Sequence, residues 1–253
     1  MRNRRPLSRG VRVNDTALSR GRLERFRGAS TLGCWFRSDR GKTIVTGVSQ
    51  WDDYSGNAFH VVQAVEAEQP TVVAAAYNGR PGVRFTSAAN QMLLRVNTNI
   101  IGTGAYTIIW AGKIRASAGA EGLFGNMKAA AGVGLYNDTG PVRSVFAPGV
   151  AVMTDGSVQT TSAEIQIATR AAGAAPSLSI NGVDQGALTG ASSSMGDVSA
   201  TGSLVVGANW LGAISAPSDS DAIECAIFNR VTNTSETARI LKYVGAQAGI
   251  ATA

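Results

Sequence analysis

Three carboxylates fall within six residues, at Asp219-Ser220-Asp221-Ala222-Ile223-Glu224. Paired carboxyl groups are the chemistry of glycoside cleavage. In a retaining enzyme they sit about 5–5.5 Å apart across the sugar. If this segment is a regular strand, alternate residues share a face, so Asp219 and Asp221 are neighbours and Glu224 falls opposite Asp221. That spacing does not assemble a flanking pair. The segment reads as an acidic loop leading into a strand, and no catalytic residue is assigned.

Asp52, Asp53 and Asn57 offer three oxygen-bearing side chains within six residues, the donor type calcium prefers. The same residues also satisfy backbone N–H groups in Asx turns, and that reading is preferred. His60 is the sole histidine, and no serine or cysteine motif accompanies it. Gly102-Thr103-Gly104 lacks a phosphate-loop pattern, so no cofactor is expected. Trp35, Trp51 and Trp110 lie in or beside strand-like runs and suit a core. Trp210, in Gly207-Ala208-Asn209-Trp210-Leu211-Gly212, is the most loop-like tryptophan and the candidate glycan contact.

The charge is unevenly placed. Arg2, Arg4, Arg5, Arg9, Arg12, Arg20, Arg22, Arg25 and Arg27 stand against only Asp15 and Glu24 in residues 1–30, a net +7. The whole chain is +6, so residues 31–253 sum to −1. Residues 1–30 read as an extended anchoring arm with too little apolar periodicity to bury a face of its own. Arginine suits bidentate contacts with carboxylate or phosphate. The preferred partner is an acidic protein surface. Nucleic acid is less supported, because Phe26 alone could stack on bases.

These residues need a scaffold, and the composition points to an all-β one. Charged residues are 16% and glycine is 30 of 253, which suits short strands and tight turns. No run of 18 apolar residues predicts a membrane-spanning helix. The first residues lack the apolar stretch of a secretory signal. Tyr106–Ile114 is the clearest strand, with others at 32–36, 43–46, 48–51, 71–76, 83–85, 122–125, 132–136, 142–146, 163–168, 177–180, 202–207 and 222–228. Asn181-Gly182 predicts a hairpin turn. Asn233 and Glu236 form a capping-box pattern ahead of a stripe at Ala238, Leu241, Val244 and Ala248, which predicts one short helix. Cys34 and Cys225 read as two buried thiols in preference to a disulfide.

Residues 31–250 resemble the concanavalin A-like lectin/glucanase fold in its laminin-G-like form. The resemblance rests on several segments in order: Gly33-Cys34-Trp35-Phe36-Arg37-Ser38-Asp39, then Val48 to Asn57 with its W-x-D-x-S-G-N turn. Gln69-Pro70-Thr71 and Asn78 to Phe85 follow, and Ile223 to Arg230 with Glu236 to Arg239 close the pattern. It implies a two-sheet jelly roll, residues 31–253, with first and last strands adjacent, which would bring Cys34 near Cys225 and permit a disulfide. The glucanase pattern E-x-D-x-x-E lacks its leading Glu here, and Glu224 matches a position often acidic in non-catalytic members. Such domains are frequent in tailed-bacteriophage virion proteins. The expectation is therefore a non-enzymatic virion structural protein in several copies, a capsid decoration or a fibre or collar component. The arm would hold it to other virion proteins of the capsid or tail. The alternative is a lectin-like module that binds host glycan.

Overall fold

The computed structural model describes residues 31–253 except 102–103, 117–118, 129–130, 139–141, 148–150, 159–160, 191–201 and 211, and omits the side chains of 128, 131, 138, 146–147, 151–153, 155–158 and 210. The arm and its nine arginines lie outside the described residues.

The strands run β1 (Leu32–Arg37), β2 (Lys42–Ile44), β3 (Val48–Trp51), β4 (Val61–Val62), β5 (Thr71–Tyr77), β6 (Arg80–Arg84) and β7 (Leu93–Arg95). Next come β8 (Tyr106–Ile114), β9 (Glu121–Lys128), β10 (Ala131–Asp138), β11 (Val142–Ala147), β12 (Ala151–Val158) and β13 (Ala163–Arg170). The last are β14 (Ser177–Ile180), β15 (Val183–Asp184), β16 (Ser203–Val206), β17 (Asn209–Trp210), β18 (Ile214–Ser215) and β19 (Ser220–Phe228), followed by helix α1 (Thr234–Ala248).

Two antiparallel sheets make the sandwich. The first runs β15-β14-β13-β8-β19-β6-β5, with β1 also paired to β19. The second runs β12-β11-β10-β9-β16-β7-β4-β3-β2. β8 shows why the sequence takes this form. Tyr106, Ile108, Trp110 and Ile114 point between the sheets, while Ile109 and Ala111 join the cluster on the outer face. The strand is therefore apolar on both sides and buried on both. Each large side chain so placed contributes about 1.5–3 kcal/mol.

The outer face of the first sheet is covered by α1. Asn233 accepts from the Glu236 N–H at 2.9 Å, and the Glu236 side chain accepts from the Asn233 N–H at 3.0 Å, a complete capping box. Ile240, Leu241, Tyr243, Val244 and Ala248 are the buried side chains. The stripe thus begins at Ile240, and Ala238 is exposed. Gly245 does not break the helix. It lets the returning chain pack close, since a β carbon there would lie 2.8 Å from the Ile250 carbonyl oxygen. The predicted hairpin forms with Asn181 at φ 52° and Gly182 at φ 92°, the two positive values a type I′ turn requires.

β1 and β6 share one long edge of β19. β6 pairs with Asp221 and Ala222, and β1 with the run from Glu224 to Phe228. A bulge between Ala222 and Glu224 lies where one neighbour gives way to the other.

Candidate functional site

The bulge corrects the expected placement of the acidic residues. Asp221 stands opposite Lys113 and Glu224 opposite Ala111 on β8. Lys113 and Ala111 are two apart and share a face, so Asp221 and Glu224 share one too. A regular strand would have placed them on opposite faces.

Neither carboxylate is open to a substrate. Asp221 is 1% exposed and lies 2.7 Å from Arg84 Nε and 3.4 Å from Arg115 Nε. Asp219 accepts from the Ser87 hydroxyl at 2.6 Å and from Arg115 Nη2 at 3.2 Å. Glu224 is buried and accepts from Trp35 Nε1 at 2.6 Å. Burial pushes its carboxyl up to about 8, against the pull of the Trp35 hydrogen bond and of Arg37. Glu121, which carried no signal in the sequence, is pushed up to about 7 by burial and by the charge of Asp219. It stands opposite Asn137 on the paired strand and is buried. Both raised carboxyls, Glu224 and Glu121, are thus held in the interior.

The turn at Asp52–Asn57 is built from its own side chains. Asp53 accepts from the Trp35 N–H at 2.9 Å, the Ser55 N–H at 2.8 Å, the Ser55 hydroxyl at 2.7 Å and the Phe59 N–H at 3.0 Å. Asn57 Nδ2 donates to the carbonyls of Leu32 and Gly33. Asp52 accepts from Gln50 Nε2 at 2.7 Å. These side chains tie the turn to β1. Among the described residues no three His, Cys, Asp or Glu side chains converge as metal ligands.

The same turn buttresses a groove on the outer face of the second sheet. Val61 and Leu93 point between the sheets, so their neighbours Val62 and Leu94 face outward. Gln50, Val62 and Leu94 are in register across β3, β4 and β7. They line a concavity of about 480 Å³ with His60, Gln63 and Arg95. Apolar carbon forms the floor and polar groups the rim. The Asp53 N–H donates to His60 Nδ1 at 3.1 Å, so the neutral ring carries its proton on Nε2. Arg95 donates from Nε to the Thr98 hydroxyl at 3.2 Å and from Nη1 to the Ala58 carbonyl at 2.9 Å. Its guanidinium lies over the Phe59 ring at 5.4 Å. Volume and lining match small-molecule sites, which are mostly apolar with a few fixed polar groups.

Trp210 lies in β17, whose partner β18 places Ile214, like Leu94, against the cluster of Met92, Met127, Val205 and Ala208. The hairpin that carries it is therefore a neighbour of the groove, while its side chain is outside the described residues. Trp35, Trp51 and Trp110 are fully buried in the core. A second concavity of about 730 Å³ runs between α1 and β13–β14, lined by Ile167, Thr169, Ser177, Thr237, Leu241 and Lys242. Its hydroxyls bond to one another, Thr169 to Ser177 at 2.7 Å and Thr232 to Thr237 at 2.8 Å. Cys34 and Cys225 are both buried free thiols, although β1 and β19 pair with Phe36 opposite Cys225.

No protein-family model and no curated protein sequence matches the chain. Solved structures share the fold. Domain 4 of AbnA, a GH43 extracellular arabinanase from Geobacillus stearothermophilus seen in complex with arabinotriose, superposes with a TM-score of 0.58 at 13% identity, covering 83% of this chain and 98% of that one. Trypanosoma rangeli sialidase with the inhibitor DANA gives 0.56 at 15% identity, covering 82% of this chain and 32% of the sialidase. The binding domain of botulinum neurotoxin DC with SialylT gives 0.56 at 8% identity, covering 84% and 51%. The chain thus spans about a third of the sialidase's length. At these identities the likeness is one of fold.

Proposed function

We propose that the protein is a non-catalytic, lectin-like module that binds glycan in the groove across β3, β4 and β7. The observation that carries this reading is the groove itself. Gln50, His60 and Arg95 present polar groups above the apolar surface of Val62 and Leu94, and the ring and the guanidinium are already fixed by hydrogen bonds within the protein. A sugar offers hydroxyls to such a rim and C–H faces to such a floor, and preorganised groups lower the cost of binding it. The three structural neighbours described above were seen with arabinotriose, DANA and SialylT, which supports a glycan as the ligand class. The test is calorimetric titration of the full-length chain with a panel of oligosaccharides. Val62→Arg, at a position 46% exposed, fills the groove without disturbing the core. Binding that disappears in V62R supports the reading; binding that V62R leaves intact, or no binding across the panel, refutes it.

A second reading draws on the net +7 of residues 1–30 against the −1 of the remainder. In it the arm fixes the body to an acidic protein surface, that of a bacteriophage capsid or tail, in several copies. Co-sedimentation of full-length protein and of a version lacking residues 1–30 with purified particles tests it. Sedimentation of the full-length protein alone is the expected result, and equal behaviour of the two removes the anchor.

A further inference from the structure

We infer that the groove is selective for a carboxylate-bearing sugar and that Arg95 is the residue that recognises it; this rests on the glycan-binding reading above.

The inference starts from a contrast among the arginines. Arg37, Arg84, Arg115, Arg143 and Arg230 each face a carboxylate within 3.2 Å: Asp39, Asp221, Asp219, Glu164 and Glu236 respectively. Arg95 does not. Its acceptors are the Thr98 hydroxyl and the Ala58 carbonyl, both neutral, and its face rests on Phe59. Among the described residues no carboxylate neutralises it. A guanidinium has five N–H groups, and these two contacts use two of them. The remainder include both on Nη2.

The nearby carboxylates are restrained by the groove's own amides. Gln50 Nε2 donates to Asp52 at 2.7 Å, and Gln63 Nε2 donates to Glu68 at 3.0 Å. His60 stands beside Asp52, 3.3 Å from Nδ1 to Oδ1. The lining contains Arg95 and no carboxylate. An immobilised guanidinium with unused N–H groups fits a planar carboxylate, which it can bind through two parallel hydrogen bonds. A neutral sugar would satisfy neither the charge nor the fork.

The test titrates full-length protein with two acidic probes, sialyllactose and trigalacturonate, and two neutral ones, lactose and galactotriose. At low salt at least one acidic probe is expected to bind ten-fold or more tighter than its neutral counterpart. The margin should shrink at about 0.5 M salt, where charge attraction is screened. Arg95→Gln should abolish the margin between acidic and neutral probes, and Arg95→Lys should restore only part of it. Neutral sugars binding as well as acidic ones, or a margin that Arg95→Gln leaves unchanged, overturns the role of Arg95 and leaves glycan binding intact. No binding of any of the four, with none across the wider panel, overturns both.

Discussion

The Trp35 indole nitrogen donates to Glu224 across 2.6 Å beneath helix α1. Burial raises that carboxyl from an ordinary 4.5 to about 8, so the folded protein holds the proton and the unfolded chain releases it. For an acid shifted upward, the stabilisation is complete below the unfolded value. It is lost as pH rises through the folded one. Stability should therefore fall between about pH 4.5 and pH 8, with Glu121 contributing up to about 7. One such group contributes at most about 1.4 kcal/mol per pH unit. Urea unfolding at pH 5, 6, 7 and 8 reads the slope. Glu224→Gln should flatten it, and Glu121→Gln should remove much of the remainder. A wild-type profile that is level across this range contradicts the burial of both protons.

Asp53 holds the turn through four hydrogen bonds. Asp53→Ala strands the buried Trp35 N–H among others, and each stranded group costs about 1–3 kcal/mol. A loss of about 3 kcal/mol is expected, equal in calcium and in EDTA. If calcium raises the melting temperature of the wild type and not of the variant, the carboxylate is a metal ligand instead.

Asp221→Asn should destabilise through its arginines. Breaking a buried pair costs about 3–5 kcal/mol, but Arg84 and Arg115 are 36% and 25% exposed and can turn toward water. The expected loss is about 2 kcal/mol by urea denaturation. Reducing-end assays on polysaccharides should show no hydrolysis by the wild-type protein. Turnover that Asp221→Asn abolishes would make this strand catalytic.

The two thiols should be silent in the folded protein. Burial raises both well above their usual range, and the thiolate is the reactive form. Ellman's reagent should titrate none in buffer and two in concentrated urea without reductant. None in urea would mean a disulfide.

The strands that sequence alone located are those with strong apolar content: Tyr106–Ile114 and Ser177–Ile180 match in full, and Asn233 caps the helix as its spacing indicates. The two-residue strands at Val61, Val183, Asn209 and Ile214 carry too few residues for a period to register. β12 escaped because Thr154-Asp155-Gly156 interrupts its apolar run. The face shared by Asp221 and Glu224 was illegible for a different reason. Alternation assumes one residue per step, and the bulge inserts an extra one. The groove was equally hidden. Gln50, Val62 and Leu94 are dispersed in the sequence and meet only through strand pairing. Arg95 is notable there for lacking a counter-charge, a property only the folded neighbourhood defines.

The sharing of one β19 edge by β1 and β6 bears on how the molecule is made. β1 is the earliest strand described, and its partner is synthesised almost two hundred residues later, as the 189-residue interval between Trp35 and Glu224 records. Until then β1, apolar on both faces, has no edge to join. Topologies dominated by such distant pairings fold slowly, because a long loop must close before the contacts that reward it can form. The first sheet can close only after Phe228 has emerged from the ribosome, so β1 waits for the synthesis of β19.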